Sequence, residues 1–266
     1  MKRLTLCADD FAFSPDDSRV IADLLRAGKL NATGCMTVRP NWPADSALLA
    51  DLPRTAEIGL HLVLTEEEPL TACGFAAGGR LPAIRALHRL VRADRVAMGD
   101  VAAEVEAQFD RFEQATGRPP AFVDGHQHAH ALPGIREVVL AVTARRAPGA
   151  WLRSCEDARL ALLTRPFRGK AIASAVHSRG LAAAAARVGL ATNRGFAGHY
   201  GFAGDYAALL PRFLARPGGR HLVMCHPGAG TRPGDAIAAA RPVEAAALAA
   251  APVAELAAAH GLAFAA

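Results

Sequence analysis

The stretch "RLTLCADDFAFSPDDSRVIADLLRAGK", residues 3–29, runs an apolar segment into two carboxylates and then opens a helix. "RLTLCA" (3–8) reads as a buried strand and "PDDSRVIADLLRAGK" (15–29) as the helix after it. The same alternation recurs outward from there. "TGCMTV" (33–38) reads as a second strand, followed by a helical stretch near 43–51, and "AEIGLHLVL" (56–64) as a third strand. The segment 65–82 is a long loop punctuated by Gly and Pro, of the kind that covers a site. Residues 99–116 carry Val101, Val105, Phe109 and Phe112 at helical spacing, and Gly117 stops that helix.

Beyond it, "AFVDG" (121–125), "AWLRS" (150–154), "RGFAG" (194–198) and "RHLVMCH" (220–226) read as strands. Helices are expected at 134–147, across the Ala-rich 168–190, at 205–216, and as one closing helix at 242–260. No linker or internal repeat divides the chain, so one α/β domain over 1–266 is expected, with a parallel sheet forming a barrel or an open sheet.

The chain has 266 residues, 52% of them hydrophobic, enough for a sizeable core and against global disorder. No apolar run reaches the roughly 18 residues of a membrane span. Acidic residues arrive by position 9, too early for a signal-peptide apolar region, so a cytoplasmic location is expected. The five cysteines (7, 35, 73, 155 and 225) lie far apart without a CxxC, which argues for free buried thiols over a disulfide framework or zinc ribbon. The formal charge is +5, carried almost wholly by arginine, for Lys2, Lys29 and Lys170 are the only lysines. Without a basic block or interleaved aromatics, a nucleic-acid surface is not expected.

Where the apolar runs end is more telling. Asp9 and Asp10 follow the first strand, and His61 lies near the end of the third. Asp124 and His126 follow the strand at 121–125, and His226 closes the one at 220–226. Strand C-termini of a parallel α/β fold open onto one face, where catalytic groups gather. Taken singly, "ADDF", "GLHL" and "CHPG" each have a plain structural reading. "DGHQHAH" (124–130) has less of one, because in an extended segment His126, His128 and His130 would share a face, in a helical turn His126 and His130 would, and imidazoles gathered so call for a cation or hydrogen-bond partners. One carboxylate with two imidazoles suits a borderline divalent cation and leaves positions for water and substrate.

In order and spacing, "ADDF", "GLHLVLT", "DGHQHAHALP" and "CHPG" resemble the ChbG/YdjC-like carbohydrate deacetylases from about residue 3 to 245. The resemblance implies a distorted β/α barrel akin to NodB-type polysaccharide deacetylases, and hydrolysis of the acetamido group of an N-acetylated sugar with one divalent metal, Mg2+ or Zn2+. It implies Asp10, His61 and His126 as metal ligands and Asp9 as the base that activates water. His226 would lie opposite, as proton donor or substrate contact. The family usually continues "DDFG", whereas Ala12 stands here; if that glycine supplies a positive φ, alanine strains the turn.

His128 and His130 are expected to orient the ligands, touch the sugar or simply pack, Asp124 to hold a histidine tautomer, and Arg153 to pair with Asp9. A small carbohydrate is the expected partner, with a homodimer as a further possibility. The rival readings are a metal-dependent phosphoesterase on the same barrel, a deacetylase acting on a hopanoid- or glycolipid-linked amino sugar, a mononuclear iron oxygenase, and a metal- or sugar-binding module without activity. Strand–helix alternation disfavours the oxygenase, whose two histidines and carboxylate usually sit in antiparallel folds.

Overall fold

The computed structural model describes residues 2–266. Among these residues nine strands join one sheet: β1 (Lys2–Phe11), β2 (Ala32–Cys35), β3 (Glu57–Leu62), β4 (Phe122–Gly125), β5 (Trp151–Leu152), β6 (Ala191–Thr192), β7 (Phe196–Ala197), β8 (Arg220–Cys225) and β9 (Leu262–Ala263). Their order is β6-β5-β4-β3-β2-β1-β8-β7, with β9 added beside β1, and every pairing is parallel. The sheet curls into a distorted barrel whose terminal strands β6 and β7 are, among the described residues, not paired with each other. Asn193 lies between them, its amide donating to the carbonyls of Ser154 and Gly195 and its oxygen accepting from the Ser154 N–H.

Among the described residues eleven α-helices surround the sheet: α1 (Pro15–Arg26), α2 (Trp42–Asp45), α3 (Ile84–Arg92), α4 (Met98–Thr116), α5 (Ile135–Arg146), α6 (Arg159–Thr164), α7 (Arg168–His177), α8 (Leu181–Arg187), α9 (Tyr206–Leu214), α10 (Arg241–Ala250) and α11 (Val253–Ala259). Among the described residues no single helix is long and apolar enough to cross a membrane.

Local chemistry explains the boundaries. Ser14 caps α1 by accepting from the Asp17 N–H, and Pro15 occupies the first turn, where its missing donor is harmless. Val101, Val105, Phe109 and Phe112 of α4 are fully buried, each contributing roughly 1.5–3 kcal/mol. Gly117 ends the helix at φ 69°, where a Cβ would be strained. The closing helix expected at 242–260 is instead two helices meeting at 78°, because Pro252 cannot donate to the turn before it. The five cysteines are buried and free.

Candidate functional site

β1 carries two adjacent carboxylates, and regular strand geometry would send them to opposite faces. A β-bulge prevents this. Ala8 pairs with Thr33 and Phe11 with Cys35, three steps on β1 against two on β2, and Asp10 takes φ 66° within the irregularity. Asp9 and Asp10 therefore both line one cavity of about 970 Å³, together with His61, His126 and His226. Ala12 has φ 70° and is fully buried, so the alanine occupies the left-handed region at a cost of about 1–2 kcal/mol.

Strand register explains His61. It lies directly beside Asp124 across β3 and β4, with Nδ1 2.7 Å from Asp124 Oδ1. With Nδ1 engaged by Asp124, Nε2 is the nitrogen turned toward Asp10, 3.5 Å from its Oδ1, and the one a cation would take. Gly34 on β2 makes the room: a Cβ there would stand 3.1 Å from the His61 ring and 3.2 Å from Asp124 Oδ1.

The three histidines behind Asp124 do not share a face, contrary to the extended reading. Residues 126–131 form a 3-10 turn in which Gln127 (φ 52°) and His128 (φ 59°) are left-handed. These dihedrals send the rings three ways. His126 Nδ1 reaches Asp10 Oδ1 at 3.0 Å. His128 stacks on His199, with ring centres 5.7 Å apart at 11°. His130, fully buried, donates from Nε2 to the Arg153 carbonyl at 2.9 Å, and burial pushes its pKa down to about 4, so it stays neutral.

Arg153 is fully buried and holds both Asp9 oxygens, Nη1 to Oδ2 at 2.6 Å and Nη2 to Oδ1 at 2.5 Å, while also meeting Asp124 Oδ2 at 2.5 Å. Burial opposes ionisation of Asp9, yet the guanidinium outweighs it and holds the carboxyl well below the usual range. Asp124 thus lies against both His61 and Arg153, the second a contact that nothing in the sequence predicts. His226 Nε2 is 3.9 Å from Asp9 Oδ2, beside it rather than across a gap, and its ring meets Phe202 edge-on.

Two further groups escaped the sequence reading. Arg241, buried at the start of α10, donates to Asp10 Oδ2 at 2.9 Å and to Asp235 Oδ2 at 2.6 Å. Burial disfavours the charged form of Asp10, but His126, His61 and Arg241 hold its carboxyl well below the usual range. Glu244, one turn further on, accepts from the His226 backbone N–H and the Tyr200 hydroxyl, each at 2.5 Å, fixing the loop that carries His226. The only local sign of either is a charged residue in an otherwise Ala-rich helix.

The donor set fits a divalent cation. Asp10, His61 and His126 each offer one ligand atom, all within 4.8 Å of one another. Two ion-pair clusters meet at the site, Arg153 with Asp9 and Asp124 and Arg241 with Asp10 and Asp235, each with two carboxylates to one guanidinium, so each is one negative charge in excess before the histidines are counted. Burial alone would lower the His61 pKa, but Asp124, Asp10 and Asp9 raise it to about 10, marking a place where positive charge is favoured.

Residues 3–259 match the family model for YdjC-like proteins. The chain belongs to the YdjC-like family. It is 32% identical over 146 residues, 55% of its own length, to proteins named chitooligosaccharide deacetylase from Yersinia pestis (strain Pestoides F) and Yersinia pseudotuberculosis. That match spans 57% of each relative's length. An Enterococcus faecalis V583 structure, provisionally described as a cellobiose-phosphate cleavage protein, superposes with a TM-score of 0.75 at 20% identity, covering 99% of this chain and 97% of the other. This likeness shows that the curled barrel of the YdjC-like chain is a fold already solved.

Proposed function

We propose that the protein is a metal-dependent carbohydrate deacetylase, acting as one domain, that hydrolyses the acetamido group of an N-acetylated sugar. The observation that carries the reading is the convergence of Asp10, His61 and His126 beside the Asp9–Arg153 pair. The names of the Yersinia relatives support a chitooligosaccharide-like substrate. A bound Mg2+ or Zn2+ held by these three side chains would acidify a water and polarise the acetyl carbonyl.

The chain's own groups supply the proton chemistry. Asp9, ionised by its contact with Arg153, accepts the proton of the attacking water. His226 Nε2, 3.9 Å from Asp9, protonates the departing amine. Asp124 keeps His61 Nε2 aimed at the ligand cluster, and His130 fixes the backbone of Arg153. Glu244 holds the His226 loop.

The test is mass spectrometry of N-acetylglucosamine oligomers incubated with metal-reconstituted and chelator-treated protein. Loss of one acetyl group, only with metal, is expected. Metal-loaded protein that leaves every acetyl group in place, or that releases phosphate from a generic ester instead, overturns the reading.

A further inference from the structure

We propose that the α6–α7 hairpin docks on the surface of an anionic lipid bilayer. Among the described residues, seven large apolar side chains are strongly exposed, and five of them, Leu160, Leu163, Phe167, Ile172 and Val176, fall on this hairpin. They are 40–66% exposed. Leu160 and Leu163 are three apart on α6, and Ile172 and Val176 four apart on α7, so each helix presents its pair on one face. Isolated exposed leucines need no account, but this concentration does.

Charge identifies the occupant. From Ala158 to Gly204 the chain has no Asp or Glu, but it has Arg159, Arg165, Arg168, Lys170, Arg179, Arg187 and Arg194. Within the hairpin itself, residues 159–177, Arg159, Arg168 and Lys170 are exposed and no Asp or Glu offsets them, so the surface carries three positive charges. Arg165 is buried against Asp157, and the other six are exposed. Aliphatic side chains set among arginines suit a headgroup layer, where the apolar groups insert and the cations meet lipid phosphates. A symmetric contact with a second copy would set these cations against their own equivalents. Nucleic acid would meet the charges but leave the leucines and Val176 unmatched.

The surface is continuous with the cavity. Lys170 and Ser174 of α7 line the cavity wall, and the Phe167 ring lies against Gly201, beside Tyr200 and Phe202. Docking would therefore bring the cavity mouth to the lipid headgroups. The inference does not depend on the deacetylase reading.

Flotation of the full chain with phosphatidylcholine vesicles, and with vesicles containing about one part in three phosphatidylglycerol, tests it. Binding is expected only to the anionic vesicles and should weaken as salt rises. The exposed pair L163S/V176S should lower partitioning at least roughly tenfold, and R159E/R168E about a hundredfold, with thermal melting unchanged. No binding to anionic vesicles at low salt, equal binding to neutral ones, or indifference to L163S/V176S overturns the proposal. So does a dimer that L163S/V176S dissociates, or retention on duplex DNA, with no vesicle binding in either case.

Discussion

Replacing Asp9 with asparagine separates the two carboxylates of "ADD". The aspartate gives Arg153 two acceptors, at 2.6 and 2.5 Å. Asparagine keeps one acceptor and turns an amide donor toward the other guanidinium N–H. One charge-assisted hydrogen bond is lost, about 1.5–3 kcal/mol. Asp124 still pairs with Arg153, so the loss stays below the roughly 3–5 kcal/mol of an abandoned buried charge. Urea unfolding should register about 2–3 kcal/mol, with the fold intact. The acid dependence should change too: a depressed carboxyl adds stability above its unfolded pKa and loses it as pH falls toward the folded value, and the variant lacks that dependence. Turnover should fall by roughly 10²–10⁴, the usual contribution of a general base. Bound metal, measured by elemental analysis, should be unchanged, since Asp9 is outside the Asp10–His61–His126 group. A folded but metal-free variant would show that the aspartate roles are reversed, and near-normal turnover would show that Asp9 is not the base.

His126→Ala should abolish both bound metal and deacetylation while leaving the circular dichroism spectrum in place; retained metal stoichiometry would count against its ligand role. Gly34→Ala puts a methyl 3.1 Å from the His61 ring, so metal affinity by titration should drop roughly 10–100-fold with little change in melting temperature. Burial and nearby Arg165 lower the His221 pKa to about 4, against about 6.5 when unfolded. Between those values the unfolded chain takes up a proton that the folded one refuses, so stability falls with pH by up to about 1.4 kcal/mol per unit. His221→Gln should remove that share of the slope in denaturant titrations at pH 7 and pH 5, leaving the shares of His130 and His199.

Much of this was legible because the strands β1, β3, β4 and β8 are apolar runs that give way to a functional group at or next to their ends, a pattern that survives without any knowledge of the fold. The two-residue strands were less so: β6 and β9 offer too little pattern to detect, and α3 and α6 went unnoticed for want of strong caps. Within the site, residue types were readable and partners were harder. Arg153 to Asp9 spans 144 positions and Arg241 to Asp10 spans 231, distances that only strand register and helix packing can close. Nor do the positive φ values at Asp10, Ala12, Gln127 and His128 fall on glycines, so the usual signal of a left-handed residue was missing where it mattered most.

The unclosed seam has a bearing on life at high concentration. An open sheet normally offers its outermost strands as templates for intermolecular β-addition. Here the two margins, β6 and β7, are only two residues long, and Asn193 occupies neighbouring carbonyls. A stray peptide would find too short a template to hold, which lets the barrel stay split without becoming sticky.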